Sequence, residues 1–311
     1  THYKLLRILV DISANIKYNI HMEVMTMFHG VIVALVTPFK DGMIDEEKLR
    51  ELVEFHMERG TDALVPCGTT GESATLSHEE HRRVIRIVVE AVNKRVPILA
   101  GAGSNCTAES ISLVQYAQDI GADGVLCVTP YYNKPTQEGL YYHYKAIAET
   151  GFPVVLYNVP GRTGVNLLPE TVAKLAHDFK NIVGIKEATG NLNQISQVIA
   201  LCEDRITLIS GDDSTVLPTL AVGGKGVISV AANVVPQDMK KMIAAFNQGD
   251  MEEAKRLHYK LFPLCEAMFI ETNPVPVKQA LSFMGMISPE VRLPLVQMKE
   301  ANKEKLRDVL V

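Results

Sequence analysis

The strongest chemical signal in the sequence is Lys186, a lysine at the polar end of an apolar run. Residues 182–187 read Ile-Val-Gly-Ile-Lys-Glu, which predicts a buried strand. Burying an unpaired ammonium is costly, and a lysine avoids that cost by losing its proton, which leaves a nucleophilic amine. Lys186 therefore predicts a Schiff base with a carbonyl substrate. The alternative is a lysine whose charged end merely reaches out of the strand.

Polar residues that could assist an amine follow other apolar runs. The turn Gly68–Glu72 reads Gly-Thr-Thr-Gly-Glu, and its N–H groups and hydroxyls suit an anion such as a carboxylate. The segments Thr129–Asn133 and Tyr157–Gly164 carry three tyrosines and Arg162, and Ser210–Asp213 follows a further run. Phenols, hydroxyls and an arginine around a lysine predict a proton-transfer site.

Repeated strand and helix patterns must position these residues. Seven amphipathic stretches separate eight apolar runs, which recur about every 25 to 30 residues. The runs are Val31–Val36, Ala63–Val65, Val96–Ala100, Val125–Val128, Val154–Leu156, Ile182–Ile185, Ile206–Ile209 and Gly226–Val230. Continuously apolar strands need cover on both faces, so the pattern predicts an α/β fold, a closed (β/α)8 TIM barrel with its site at the strand ends.

The chain divides into three parts by pattern. Residues 27–235 are predicted to form the barrel. Residues 236–311 show helical periodicity without strands and predict a small C-terminal helical layer. Residues 1–26 stand apart, lack the features of a secretory signal or a transit peptide, and are interpreted as an N-terminal extension of unknown role, with the natural start near Met27.

Composition excludes several classes of function. The 311 residues are 47% hydrophobic and 22% charged with a net charge of −5, which favours a soluble globular protein without a nucleic-acid surface or a membrane patch. Five cysteines without a C-x-x-C pair predict reduced thiols and a cytoplasmic location, and no metal site is expected. Gly223–Gly226 and Gly101–Cys106 lack the spacing of phosphate-binding and dinucleotide-binding loops.

Taken together, the strand-end motifs resemble the dihydrodipicolinate synthase family of the class I pyruvate-dependent aldolases. The resemblance extends from Met27 to near the C-terminus and rests on Gly68–Glu72, Thr129–Asn133, Tyr157–Gly164 and Ile185–Gly190. It implies condensation of pyruvate with L-aspartate 4-semialdehyde to give 4-hydroxy-tetrahydrodipicolinate, the first committed step of lysine and diaminopimelate biosynthesis. It implies no metal and no organic cofactor.

The resemblance also implies roles for individual residues. Lys186 would form the Schiff base with pyruvate, and Tyr157 would move protons beside it. Thr69 and Tyr132 would complete a hydroxyl relay, with Tyr132 donated across a dimer interface. The implied substrate-binding residues are Thr70, Arg162, Gly211 and Ile228. Arg162 would hold the carboxylate of the semialdehyde through its planar fork, which lysine cannot reproduce.

A regulatory site for L-lysine is implied by residues that match those of feedback-inhibited relatives. These residues are Ser73, Ala74, His78, His81, Asn105, Glu109 and Tyr131. Glu109 could pair with the ammonium of the ligand, and Tyr131 adjoins Tyr132 of the relay. The alternative is a solvated helix face. The resemblance further implies a homotetramer built as a dimer of dimers, although one dimer would complete the relay.

Three other functions stay open from the sequence. N-acetylneuraminate lyase and the 2-keto-3-deoxy-sugar acid aldolases share the glycine turn, the tyrosine and the lysine, whereas Arg162 and the Thr69-Thr70 pair favour the semialdehyde. A catalytically silent, amino-acid-binding paralogue is the third alternative. The intact Lys186, Tyr157 and Thr69 argue against it.

Overall fold

Eight parallel strands form the centre of the computed structural model, which describes residues 27–310; the predicted extension 1–26 lies outside the described residues. The strands are β1 (Gly30–Ala34), β2 (Ala63–Val65), β3 (Leu99–Gly101), β4 (Gly124–Val128), β5 (Val154–Asn158), β6 (Ile182–Glu187), β7 (Thr207–Ser210) and β8 (Gly226–Ser229). Each overlaps one of the predicted apolar runs, and the largest shift is in β3, which begins three residues later than predicted. A small hairpin, Phe39–Lys40 with Met43–Ile44, follows β1.

The sheet closes on itself. Each strand from β3 to β8 pairs with its sequence neighbour, and β1 pairs with both β8 and β2. A bridge between Leu64 in β2 and Ile98 just before β3 completes the circle, with the Leu64 N–H donating to the Pro97 carbonyl at 3.2 Å. Closure leaves no sheet edge exposed, and the predicted (β/α)8 barrel is confirmed.

Helices surround the barrel in sequence order. They are α1 (Glu46–Glu58), α2 (His78–Val92), α3 (Thr107–Asp119), α4 (Gln137–Ala148), α5 (Pro169–Asp178), α6 (Leu192–Cys202), α7 (Val216–Ala221) and α8 (Pro236–Asn247). Helix α2 begins with a capping box, in which Ser77 accepts from the Glu80 N–H and Glu80 accepts from the Ser77 N–H. Pro169 opens α5, where its missing N–H costs nothing.

Two apolar cores result from strand alternation. Strand side chains that face outward pack against the helices and form the larger core. Those that face inward fill the barrel, among them Ile32, Leu126, Val155 and Ile228. The barrel interior is therefore packed, and a site can form only at its ends.

Of the three helices after α8, two contact turns at the carboxyl ends of the strands, and the last packs on those two helices. The three helices are α9 (Met251–Ala267), α10 (Val275–Phe283) and α11 (Glu300–Leu310). Helix α9 contacts the turn after β7, and α10 contacts the turn after β8. Helix α8 contacts β1 and so occupies the place of the eighth barrel helix. In the described part of the chain, no helix is long and apolar enough to cross a membrane.

Candidate active site

Lys186 and Tyr157 lie side by side at the carboxyl ends of β6 and β5. They are register partners in the sheet, and both side chains are 6% exposed. The Lys186 Nζ atom lies 4.2 Å from the centroid of the Tyr157 ring. Among residues 27–310, no carboxylate forms a salt bridge with Lys186. The amine is therefore buried against an aromatic ring rather than neutralised by an acid.

An extra residue in β6 turns Lys186 into the barrel. Val154 pairs with Ile182 but Val155 pairs with Gly184, so Val183 is left between two rungs of the ladder. Because side chains alternate along a strand, one extra residue exchanges the two faces. Val183 faces the barrel interior, and an unbroken strand would point Glu187 inward. The bulge gives that position to Lys186.

The turn Gly68–Glu72 follows β2 and presents its first residues to the same space. The Gly71 N–H donates to the Gly68 carbonyl at 3.1 Å, and the Glu72 N–H donates to the Thr69 carbonyl at 3.1 Å. A Cβ at Gly71 would lie 3.0 Å from the Cys67 nitrogen. The turn therefore has no room for a side chain at this position. The turn is tight and closely packed.

The C-terminal layer supplies one wall of the site. Asn273, between α9 and α10, is buried, and its Nδ2 donates to Thr70 Oγ1 at 3.0 Å. Its carbonyl oxygen accepts a hydrogen bond from Arg162 Nη2 at 3.3 Å. Its Oδ1 atom has no hydrogen-bond partner among the described residues. Asn273 therefore joins two predicted binding residues, which come from opposite sides of the barrel mouth.

These residues surround a cavity of about 330 Å³. Of the predicted catalytic and substrate-binding residues, six line it: Thr69, Thr70, Tyr157, Arg162, Lys186 and Gly211. A Cβ at Gly211 would lie 3.1 Å from Lys186 Cε and 2.5 Å from Ala188 Cβ. Only glycine leaves room there for the lysine side chain.

Two predicted site residues lie elsewhere. Ile228 is buried in the barrel interior with the inward-facing strand residues and is not among the residues that line the cavity. Tyr132 is 90% exposed, outside the cavity, with a φ of +74°. Its backbone N–H donates to the Thr163 carbonyl at 3.4 Å, which holds it near the Arg162 segment.

A buried polar network fixes the two strand ends from outside the barrel. Asn158 and Glu187, each one residue beyond Tyr157 and Lys186, are also register partners. The Asn158 Nδ2 atom donates to Glu187 Oε2 at 3.0 Å, and Gln194 Nε2 donates to the same oxygen at 3.2 Å. This bridge between β5 and β6 holds the reacting pair in register.

The residues matched to the lysine site lie in a polar cluster between α2 and α3. His78 Nδ1 and Glu109 Oε1 are 3.3 Å apart, and Asn105 Nδ2 donates to the Tyr131 carbonyl at 3.1 Å. His81 Nε2 lies 2.7 Å from the Gly101 carbonyl oxygen. Burial lowers the pKa of His81. Because a carbonyl oxygen can only accept, the Nε2–H group of His81 donates this bond.

The last two of these residues, Ser73 and Ala74, form the short helical turn before α2. Ser104 was not predicted, although its hydroxyl donates to Glu109 Oε2. Asn273 was also missed, because the sequence pattern did not connect the C-terminal layer to the barrel mouth. Across residues 27–310, no group of three or more histidines, cysteines or acids is arranged to hold a metal ion.

Comparison with known proteins extends these observations. The model of the dihydrodipicolinate synthetase family matches residues 27–311. The 4-hydroxy-tetrahydrodipicolinate synthase of Citrifermentans bemidjiense is 64% identical over 285 residues, which are 91% of this chain and 98% of that protein. Together with the barrel and its cavity, these matches define an enzyme of the lyase class. The chain belongs to the dihydrodipicolinate synthetase family.

Two solved structures carry information about ligands. The chloride-inhibited dihydrodipicolinate synthase of Acinetobacter baumannii, solved with pyruvate, has a TM-score of 0.88 and 49% identity, over 91% of this chain and 97% of that one. The enzyme of Cyanidioschyzon merolae, solved with lysine bound, has a TM-score of 0.89 and 42% identity, over the same shares.

Proposed function

We propose that this enzyme condenses pyruvate with L-aspartate 4-semialdehyde through a Schiff base at Lys186. The observation that carries the proposal is the buried Lys186 amine, 4.2 Å from the Tyr157 ring in a cavity shared with Thr70 and Arg162. A lysine amine is the side-chain nucleophile that forms Schiff bases with carbonyl substrates. The Acinetobacter baumannii relative, solved with pyruvate, supports the first substrate.

The first half of the reaction uses Lys186 and Tyr157. The Nζ lone pair attacks the ketone carbon of pyruvate, and the ketone oxygen takes up a proton to give a carbinolamine. Loss of this oxygen as water leaves the imine. Tyr157 lies beside Nζ and is the group positioned to give and take these protons. Loss of a methyl proton then converts the imine to an enamine.

In the second half, the enamine carbon attacks the aldehyde of the semialdehyde and forms the new carbon–carbon bond. The amino group of that substrate then attacks the imine carbon, closes the ring and expels Lys186 as the free amine. Arg162 at the cavity wall would pair with the substrate carboxylate through its two-pronged guanidinium. The pyruvate carboxylate would lie on the N–H groups and hydroxyls of Gly68–Thr70.

Thr69 and Tyr132 extend the proposed proton path. Thr69 lines the cavity, whereas Tyr132 is almost fully exposed within one chain. A tyrosine side chain that is exposed near its own active site is available to enter the active site of a second copy of the chain. We therefore include a dimer, assembled further into a homotetramer, in the proposal. Gly211 makes room for Lys186, and Ile228 would support the site from below.

Inhibition by L-lysine is a second part of the proposal. Glu109 can pair with an ammonium group, and His78, His81 and Asn105 offer further polar atoms around it. The relative from Cyanidioschyzon merolae binds lysine. Measuring the initial rate at increasing concentrations of L-lysine tests the proposed inhibition. Rates that are unchanged at millimolar L-lysine would exclude it.

Trapping with borohydride tests the central claim. The full chain is incubated with pyruvate, reduced with sodium borohydride and digested with a protease, and the peptide masses are measured by mass spectrometry. We expect one pyruvate-derived adduct, located on Lys186. An unmodified Lys186 peptide would favour a silent, amino-acid-binding protein.

A coupled assay with the reductase that follows in the pathway distinguishes this reaction from those of other pyruvate lyases. Reduced nicotinamide should be consumed only when both pyruvate and the semialdehyde are present. Cleavage of N-acetylneuraminate or of a 2-keto-3-deoxy-sugar acid in place of this reaction would overturn the assignment.

A further inference from the structure

A buried ion pair connects the C-terminal layer to the turn Gly68–Glu72, which follows β2. Lys278 Nζ in α10 lies 2.6 Å from Glu72 Oε1, and the two side chains are 0% and 1% exposed. Lys278 Nζ also lies 4.2 Å from the centroid of the Phe39 ring. Burial lowers the pKa of Lys278, and the Glu72 carboxylate opposes that effect.

A second residue of the C-terminal layer fixes the same carboxylate. The Arg292 N–H donates to Glu72 Oε2 at 3.1 Å, and the Arg292 guanidinium donates to both oxygens of Glu80 at 2.8 and 2.6 Å. This arginine lowers the pKa of Glu80 to about 2. Each oxygen of Glu72 is therefore bonded by a group that comes from beyond the barrel.

Stability alone does not account for such a pair. Replacing a buried ion pair by apolar groups of similar volume is often neutral or stabilising, because desolvation offsets the attraction between the charges. A charge pair differs from an apolar contact in demanding one particular geometry. Here the geometry is that of a strained turn, since Glu72 has a φ of +54° in the left-handed region.

The turn is held at three successive residues. Asn273 donates to the Thr70 hydroxyl at 3.0 Å, Thr37 Oγ1 donates to the Gly71 carbonyl at 2.7 Å, and Lys278 bonds Glu72. Asn273 and Lys278 belong to one segment of the C-terminal layer. That segment therefore fixes both the hydroxyl side and the outer end of the turn.

We propose that Glu72 and Lys278 are positioning residues that hold the Gly68–Glu72 turn in the shape that binds the pyruvate carboxylate. Neither side chain lines the cavity, so both act through Thr69, Thr70 and the backbone N–H groups of the turn. This inference rests on the proposed function. It predicts that the pair sets the KM for pyruvate and leaves the Lys186 chemistry intact.

The decisive comparison uses the double variant Glu72→Gln/Lys278→Met in the full chain. Removing both charges avoids an unpaired buried ion, so we expect a melting temperature close to that of the unaltered protein. We expect the KM for pyruvate to rise about tenfold, because the turn loses its fixed geometry. Borohydride should still trap Lys186 at saturating pyruvate, and the KM for the semialdehyde should stay within about twofold.

Two further variants separate positioning from folding. Glu72→Asp keeps the charge but draws the carboxylate back by one methylene, and it should also raise the KM for pyruvate. Lys240→Met is the matched control: it removes the 2.8 Å pair of Lys240 with Asp62, which lies just before β2 at the opposite end of the barrel. That variant should leave the KM for pyruvate unchanged.

The outcomes distinguish this inference from the proposed function. An unaltered protein that reacts with pyruvate, combined with double and Glu72→Asp variants that keep its KM, overturns the inference alone. An equal rise in KM for Lys240→Met would also overturn it, since the effect would then be general. An unaltered protein that forms no adduct overturns the proposed function, and the inference with it.

Discussion

Lys186 and Tyr157 occupy the same rung of the sheet on adjacent strands, with the lysine Nζ atom 4.2 Å from the centre of the tyrosine ring. Strand pairing fixes their Cα atoms, and the Asn158–Glu187 hydrogen bond one rung further holds the strand ends together. Their proximity is thus a property of the backbone rather than of two flexible side chains, which favours a preorganised site.

Replacing Lys186 by alanine should abolish the reaction. Without the amine no imine forms, so we expect kcat to fall at least about a thousandfold, with no adduct after borohydride treatment. Lys180→Ala is the control, because Lys180 is exposed in the loop before β6; this variant should retain both activity and the adduct. Appreciable activity of Lys186→Ala would contradict the mechanism.

Replacing Tyr157 by phenylalanine should slow the reaction without unfolding the protein. The ring contact with Lys186 is kept, but the phenol is lost, so kcat should fall by about 10² to 10⁴, the usual contribution of a proton-transferring group. Tyr144→Phe is the control, and it should lower stability rather than kcat. Its hydroxyl bonds the Cys127 carbonyl at 3.0 Å outside the cavity, so we expect a loss of about 1 kcal/mol in stability with little change in kcat.

Gly184→Ala should disturb the register that points Lys186 inward. A Cβ at this position would lie 2.9 Å from the Thr207 carbonyl oxygen, so β6 and β7 must move apart. We expect a loss of about 1 to 3 kcal/mol in unfolding free energy together with a lower kcat. At Gly161 a Cβ would meet no described atom within 4 Å. Gly161→Ala should therefore keep the melting temperature of the unaltered protein. Equal behaviour of the two variants would refute this role of the bulge.

Arg162→Lys should affect only the second substrate. The charge is retained but the planar fork is lost, which costs about 1.5 to 3 kcal/mol for a hydrogen bond to a charged group. The KM for the semialdehyde should therefore rise by roughly ten- to a hundredfold. Pyruvate trapping at Lys186 should be unchanged; a parallel loss of trapping would argue against the assignment of the Arg162 guanidinium to the semialdehyde.

His143 should make the protein less stable in acid. Burial lowers the pKa of His143 from 6.5 to about 4. Between these values the unfolded chain binds a proton that the folded chain does not, so stability falls with decreasing pH by about 1.4 kcal/mol per unit. His143→Gln lacks this dependence, and its deficit relative to the unaltered protein in urea unfolding should shrink from about pH 7 to about pH 5. A deficit that is constant with pH would contradict the shift.

The positions of the strands, and of the polar residues that follow them at the cavity, were predictable because buried parallel strands are continuously apolar and barrel sites lie at their carboxyl ends. The roles of Asn273 and Lys278 were not, because helical periodicity identifies a buried face but not its partner. Lys278 does lie in an apolar stretch, the same signal that marks Lys186. Both amines lie 4.2 Å from the centroid of an aromatic ring. Only the structure distinguishes the two lysines, because Lys278 also pairs with Glu72, whereas Lys186 pairs with no carboxylate among residues 27–310.

The bonds from Asn273 and Lys278 to the turn after β2 limit how this enzyme can be recombined. A chimaera that joins this barrel to the C-terminal helices of a distant relative would exchange part of the active site along with an outer layer. Directed evolution of substrate range should therefore exchange residues 68–72 and 273–278 together, although 203 positions separate Asn273 from Thr70 in the sequence. Crossovers that split these two segments should yield folded barrels with poor pyruvate binding.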